Sequence, residues 1–112
     1  MIFSTDKKDD ALIAVVAGQV NSANAADLES QMLACVAGGE YQWVVDLGRL
    51  DYISSAGLRV ILMLAKRLRE QDGGLVLCNL QSHVHEVFEV SGFLTILQVT
   101  DDRAQALQQL QQ

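Results

Sequence analysis

Two adjacent serines, Ser54 and Ser55, are the residues whose type and position most favour chemistry. They follow a buried-looking apolar run and a short loop, and they begin a segment with helical periodicity. In α/β folds, ligand chemistry collects where a parallel strand ends and the next helix begins. A phosphate there would meet free backbone N–H groups, the helix dipole and, one turn further on, Arg59. Serine is also an ordinary helix N-cap, so a purely structural role stays open.

Catalysis is a weaker interpretation of the same residues. A hydrolase that used Ser55 as nucleophile would need an imidazole base, which only His83 or His85 could provide. The chain has no Gly-x-Ser-x-Gly turn, and Gly73-Gly74 lacks the lysine of a phosphate loop. Neither histidine stands in a cluster with metal-ligand spacing. The sequence therefore predicts no enzyme, no metal and no cofactor, and it gives a nucleotide-binding domain little support.

Three more polar residues lie close to the same predicted edge of the sheet. Asp46 stands near the end of the apolar run, and we interpret it as a residue that orders the following loop rather than as a base. Asn21 and Asn24 stand where the first helix is predicted to begin. We expect both asparagines to act as caps first and as partner contacts second.

The composition fits one cytoplasmic domain. The chain has 112 residues, 50% of them apolar, which suffices for one packed core but not for two. The early apolar run at 11–17 is too short to span a bilayer, and the charged segment before it is not typical of a secretory signal. The formal net charge of −6 argues against direct nucleic-acid binding. We expect Cys35 and Cys78 to be reduced, buried thiols rather than a disulfide or a metal pair.

Residue patterns predict strands that alternate with helices. The strands fall at 2–5, 12–16, 41–47, 75–78 and 94–99. The helices run from Asn21 or Ser22 to about Ala37, from near Ser55 to just before Asp72, over 83–90, and from Asp101-Asp102 to Leu110, with 48–54 as a loop. This alternation implies crossover connections. We therefore predict one α/β domain with a central mixed, mainly parallel sheet of about five strands and about four helices.

The second predicted helix is apolar on both sides. Leu58, Ile61, Leu62, Ala65 and Leu68 share the face that we assign to the sheet, and the opposite face carries Val60, Met63, Leu64 and Arg67. A neighbouring helix could cover this second face. Alternatively, it could form an exposed docking patch for a partner, rimmed by Arg59 and Lys66.

The whole chain resembles a STAS domain, the fold of anti-sigma factor antagonists. The resemblance rests on the two opening strands, the Gly-Gln-Val-Asn-Ser-Ala-Asn segment at 18–24, the Val-Val-Asp-Leu strand at 44–47 and the Ser-Ala-Gly-Leu helix start at 55–58. The family motif is a strand ending in Asp-Leu, a loop, and then Asp-Ser-Ser/Thr-Gly-Leu. When Gly57-Leu58 is matched to that motif, its phosphorylated serine falls at Ser55. The resemblance implies a single STAS domain over 1–112.

The resemblance also implies a role in partner switching. The unphosphorylated protein would bind an anti-sigma factor with serine kinase activity, and phosphorylation of Ser55 would end the association. A serine phosphatase would then reset the switch. Together with the residue patterns described above, the expected site has Ser55 as acceptor and Ser54 as reserve acceptor. Its expected partner contacts are Asn21, Asn24, Ser54, Ser55, Gly57, Arg59, Val60, Met63 and Leu64.

Two positions depart from the family motif. Ser54 stands where an acidic residue commonly precedes the acceptor, and Ala56 follows it. The missing carboxylate bears on which kinase would recognise the site. STAS-like domains also serve as constitutive subunits of larger assemblies, such as lipid-transport complexes or signalling scaffolds. In that alternative, Ser55 is only a cap and the apolar helix face is a permanent interface.

Overall fold

The structure, a computed structural model, describes residues 1–111. Its strands and helices alternate along the chain in this order: β1 (Ile2–Lys8), β2 (Ala11–Val20), α1 (Ala25–Ala37), β3 (Gln42–Asp46), β4 (Leu50–Ile53), α2 (Ser55–Glu70), β5 (Gly74–Cys78), α3 (Ser82–Val90), a short 3-10 helix (Phe93–Thr95), β6 (Gln98–Thr100) and α4 (Arg103–Leu110). The predicted α/β class and the four helices are confirmed.

The strands form one mixed sheet in the order β1-β2-β3-β5-β6, and β4 pairs with the far end of β2. β1 runs antiparallel to β2, which makes the opening hairpin the mixed edge. The other pairs, β2 with β3 and with β4, β3 with β5, and β5 with β6, are parallel. Parallel pairing brings the carboxyl ends of these strands, and the loops that follow them, to one side of the molecule.

Helices cover both faces of the sheet. One face packs against α1, α2 and α3 around a core that includes Trp43, Leu64 and Phe88, which are fully buried. The other face, with Val44 and Val76, packs against α4. A strand that is buried on both faces needs apolar residues at consecutive positions, which explains the Trp-Val-Val sequence of β3.

Several sequence-based boundaries are wrong. The 48–54 loop contains β4, so the described chain has six strands rather than about five. The strand predicted at 94–99 begins only at Gln98, because the residues before it form the short 3-10 helix. β2 continues to Val20 instead of ending at Val16, because its last residues pair with β4. This pairing has an irregularity at Gly18, whose φ is positive at 89°. A glycine tolerates this backbone without strain.

Candidate functional site

The ends of β2 and β4 place the sequence-predicted site residues side by side. Val20 and Ile53 are the last residues of these two paired strands. The backbone N–H of Ser54 donates to the carbonyl oxygen of Val20 at 2.9 Å, which ties the start of α2 to the end of β2. The loop that begins at Asn21 and the helix that begins at Ser55 therefore leave the sheet from the same edge.

Ser54 and Ser55 have different surroundings. Ser54 is half-buried and is the N-cap of α2, and its Oγ accepts a hydrogen bond from the N–H of Gly57 at 3.2 Å. Its carbonyl oxygen accepts from Leu58 N–H at 2.9 Å. Ser55 is the first residue of the helix and is exposed. The cap function thus belongs to Ser54, and the Ser55 hydroxyl is accessible.

Asn21 and Asn24 hold each other in the turn before α1. The Oδ1 atom of Asn21 accepts from the N–H groups of Ala23 and Asn24, and the Oδ1 atom of Asn24 accepts from the N–H of Asn21 at 2.9 Å. The Asn24 amide also donates to the carbonyl oxygen of Gln19. The helix begins at Ala25, later than predicted from Asn21 or Ser22, because these bonds form a separate turn first. Both asparagines fix the loop next to Ser55.

Gly57 contributes packing rather than a contact surface. It is buried, and a Cβ atom placed on it would lie 2.7 Å from Cγ1 of Ile53 and 2.7 Å from Cγ1 of Val20. These are branched side chains at the ends of two paired strands. The helix can approach the sheet this closely only because residue 57 has no side chain. This burial leaves Gly57 little free surface, and its expected contact with a partner stays a prediction.

The helix face expected as a docking patch is largely covered. Val60 is 6% exposed and Leu64 is 0% exposed, because α1 packs on this side of α2. Met63 is half-buried. An exposed apolar patch on this face is therefore excluded for Val60 and Leu64, and the alternative of a covering helix is correct. Arg59, on the outer side of the same helix, is exposed.

Two open grooves flank the start of α2. The first, the α1–α2 groove, is about 310 Å³ and is lined by residues that include Ser22, Glu29, Ala56 and Arg59. The second, the α2–α3 groove, is about 420 Å³ and is lined by Ser55, Leu58, His83, Glu86, Val87, Val90 and Ser91. Within the second groove, Val90 is 80% exposed and Val87 is 38% exposed. Ser55 therefore lies at the edge of an apolar surface that α3 supplies.

Hydrogen bonds hold α3 beside the start of α2. The Nε2 atom of His83 lies 2.6 Å from the carbonyl oxygen of Asp51 in β4. The Gln81 amide, just before α3, donates to the carbonyl oxygen of Gly48 at 3.1 Å and to Oδ1 of Asp51 at 3.2 Å. The sequence pattern points to His83 only as a candidate base or metal ligand. The helical spacing of His83, Val87 and Val90 was a signal that they share one face.

Asp46 orders the end of β3, as predicted. Its Oδ1 atom accepts from the N–H of Gly48 at 2.9 Å, and its Oδ2 atom accepts from Nε of Arg103 in α4 at 2.6 Å. Burial alone would raise the pKa of this carboxyl, but the hydrogen bonds from Gly48, Arg103 and Asn79 outweigh burial and hold the pKa below its usual value. Asp46 is therefore an ionised structural anchor.

Both cysteines are free thiols, as predicted, but only Cys78 is fully buried, and Cys35 is half-buried. Within residues 1–111, no group of three or more His, Cys, Asp or Glu side chains is placed to hold a metal ion. None of the helices in this part of the chain is both long enough and apolar enough to cross a membrane. The arrangement around Ser55 thus offers an accessible hydroxyl, an exposed guanidinium and two grooves.

Sequence comparisons find close relatives of this chain. A family model described as "Mlab, STAS domain" matches residues 3–99. BtrV of Bordetella bronchiseptica, a candidate anti-sigma factor antagonist, is 58% identical over 106 residues, which cover 95% of this chain and 91% of the relative.

Structural comparisons agree with this match. A candidate anti-sigma factor antagonist from Thermotoga maritima superposes with a TM-score of 0.93 at 20% identity, over 98% of this chain and 95% of its own. The anti-sigma factor antagonist SpoIIAA in its unphosphorylated form gives a TM-score of 0.75 at 15% identity over 98% of both chains. The phosphorylated SpoIIAA of Bacillus gives 0.72 at 16% identity, over 96% of this chain and 98% of its own. At these identities, the structures share a fold.

Proposed function

The chain belongs to the STAS domain family, and from this membership we propose that it is an anti-sigma factor antagonist controlled by phosphorylation of Ser55. The observation that carries the proposal is the contrast within the serine pair. Ser54 is engaged as the helix cap, whereas Ser55 is exposed at the start of α2. A partner kinase can reach the Ser55 hydroxyl without unfolding the helix.

The partner is an anti-sigma factor with serine kinase activity. The unphosphorylated protein binds it through the surface around Ser55, to which the turn at Asn21 and Asn24 and the exposed Arg59 are adjacent. This binding withholds the anti-sigma factor from its sigma factor and so promotes transcription. The 58% identical relative, named as an anti-sigma factor antagonist, supports this role. The protein itself is regulatory and performs no catalysis.

Phosphorylation ends the association through local charge. A phosphoserine carries about −1.5 to −2 charges near neutral pH. At the centre of the interface, this charge would lose its hydration when the partner binds. Acidic groups of the partner would also repel it. A loss of about 3 kcal/mol in binding free energy would weaken the complex roughly a hundredfold. A serine phosphatase restores the unphosphorylated form.

Ser54 is the less suitable acceptor. Its Oγ is occupied by the N–H of Gly57, and its side chain is half-buried. A kinase would have to reach a half-buried hydroxyl that is already engaged in the cap. Ser54 therefore remains a reserve acceptor only.

A constitutive subunit of a larger assembly is the alternative function. It stays open because the matching family model is described as "Mlab, STAS domain" and not as an anti-sigma factor antagonist. However, that alternative depended on an exposed apolar face at Val60 and Leu64, and both side chains are buried against α1. The accessible Ser55 hydroxyl at the start of α2 supports the switch instead.

The test compares the wild type with Ser55→Ala, Ser55→Asp and Ser54→Ala, each purified from the native host, by intact mass and by binding to the purified cognate anti-sigma kinase. We expect one phosphate on the wild type and on Ser54→Ala, and none on Ser55→Ala. Ser55→Asp should bind at least about tenfold more weakly than Ser55→Ala. Ser4→Ala, on the exposed edge strand β1, is the matched control. A phosphate that persists in Ser55→Ala, or equal binding by every variant, would contradict the proposal.

A further inference from the structure

His83 stands closer to the switch serine than its position in the sequence suggests. It is 28 places further along the chain, yet it lines the same α2–α3 groove as Ser55. The groove exists because β4 pairs with the end of β2 and α3 packs against β4. The fold thus places an imidazole beside the proposed phosphorylation site.

The hydrogen bond that His83 makes fixes which of its nitrogens is available. A carbonyl oxygen can only accept, so the contact of 2.6 Å with the carbonyl oxygen of Asp51 requires a proton on Nε2. The lone pair of the neutral ring is then on Nδ1. When the ring takes up a second proton, Nδ1 becomes an N–H donor and the Nε2 bond to Asp51 is kept. The imidazolium can therefore hold its anchor and bind an anion at once.

We propose that His83 binds the phosphate group carried by Ser55, through Nδ1–H of its charged ring. The inference rests on the proposed phosphorylation of Ser55. A hydrogen bond between an imidazolium and a phosphate is charge-assisted and is correspondingly strong. It links α2 to α3 across the groove and stands beside Val87 and Val90, the exposed apolar part of the groove.

The charged groups around His83 determine the electrostatic surroundings of a phosphate on Ser55. Arg59 of α2 belongs to the α1–α2 groove on the other side of the helix start. Glu86 of α3 lines the same groove as His83, and Asp51 of β4 lies against the ring through its carbonyl oxygen. The negative charges of these two residues oppose the phosphate. His83 is thus the cation that the α2–α3 groove itself offers to a phosphate on Ser55.

The experiment uses the full chain with phosphoserine incorporated at position 55 during translation, so that no kinase is needed. The phosphorus NMR resonance is followed across pH 4.5 to 8, where the second phosphate proton leaves near pH 6 in a free phosphoserine. His83→Gln keeps an amide donor for the Asp51 carbonyl but cannot become a cation. His85→Gln is the matched control, because His85 faces a different pocket with Asn79 and Thr100.

We expect the titration midpoint of the phosphate to lie lower in the wild type than in His83→Gln, by roughly half a pH unit. His85→Gln should match the wild type, and His83→Lys should restore part of the lower midpoint. Equal midpoints in the wild type and His83→Gln, or an equal rise in His85→Gln, would overturn the inference. These results do not depend on whether the native cell phosphorylates Ser55, so failure here is distinguishable from failure of the proposed function.

Discussion

The N–H of Gly57 donates to the Oγ atom of Ser54 at 3.2 Å, and this hydrogen bond separates two serines that the sequence presents as equivalent. It assigns the cap of α2 to Ser54. It leaves Ser55, the next residue, exposed at the first helical position. Because the roles divide in this way, stability and switching should respond to different substitutions.

Ser54→Ala should destabilise the fold, whereas Ser55→Ala should not. Loss of an N-cap side chain typically lowers the free energy of unfolding by about 1 kcal/mol. Ser55 is exposed and serves no cap, so its replacement by alanine should change stability by less than about 0.5 kcal/mol. Urea unfolding followed by circular dichroism measures both. Equal stability of the two variants would show that the cap is not formed in solution.

Gly57→Ala should destabilise the protein although alanine favours helices. A glycine-to-alanine change within a helix normally stabilises it by up to about 1 kcal/mol. Here the new methyl would lie 2.7 Å from Cγ1 of both Ile53 and Val20. Overpacking of this kind costs about 1–3 kcal/mol, which exceeds the helix gain.

The cause of that loss can be tested with a double-mutant cycle. Val20→Ala removes one of the two clashing atoms, so Gly57→Ala should cost less in the Val20→Ala background than in the wild type. A cost that is unchanged in the double variant would assign the loss to something other than this contact.

The sequence was sufficient for the parts of the fold that have strong local patterns. The apolar run of β3 and the periodicity of α2 appear where they are expected, and the opening hairpin forms with longer strands than predicted. β4 was missed because its four residues have two buried ends and two exposed middle positions, which is not the alternation of a typical strand. Its pairing partner, the end of β2, was also hidden by the irregular backbone at Gly18.

In the candidate site, too, the sequence indicates only the residues that belong to a local pattern. Ser54, Ser55 and Arg59 are candidates from the sequence because the start of a helix is marked by local residue types. His83 was not connected to Ser55, since the two meet only through the pairing of β4 and the packing of α3. The covering of Val60 and Leu64 by α1 likewise depends on tertiary packing, which the pattern of α2 alone cannot show.

The two cysteines should differ in reactivity. Cys78 is fully buried, and burial, together with the charge of Asp46, raises the pKa of its thiol to about 12. Cys35 is half-buried; burial, followed by the Glu40 carboxylate, raises the pKa of its thiol. Since the thiolate is the reactive form, a thiol reagent at pH 8 should label Cys35 slowly and Cys78 only after unfolding.

Intact mass after iodoacetamide treatment measures this difference. The native wild type should gain one label, and native Cys35→Ala should gain none. In urea, the wild type should gain two labels. Native labelling of Cys78 in the Cys35→Ala variant would mean that the sheet opens around β5.

Asp46 should make stability depend on acid pH. Its hydrogen bonds lower the pKa of the carboxyl in the folded protein, whereas the unfolded chain has the usual value of about 3.9. A depressed pKa contributes stability that is fully present above the unfolded value and is lost as pH falls through the folded value. The wild type should therefore lose stability below about pH 4 more steeply than Asp46→Asn does.

At pH 7, Asp46→Asn and Arg103→Gln should each lower the free energy of unfolding by about 1 kcal/mol, a modest value because the Arg103 side chain is half-exposed. The double variant should lose less than the sum, since both changes break the same ion pair. Glu89→Gln, an exposed acid on α3, is the control for general charge. Urea unfolding between pH 2.5 and 7 measures the free energy of unfolding as a function of pH. Parallel pH profiles for the wild type and Asp46→Asn would mean that Asp46 is not held ionised by Gly48 and Arg103.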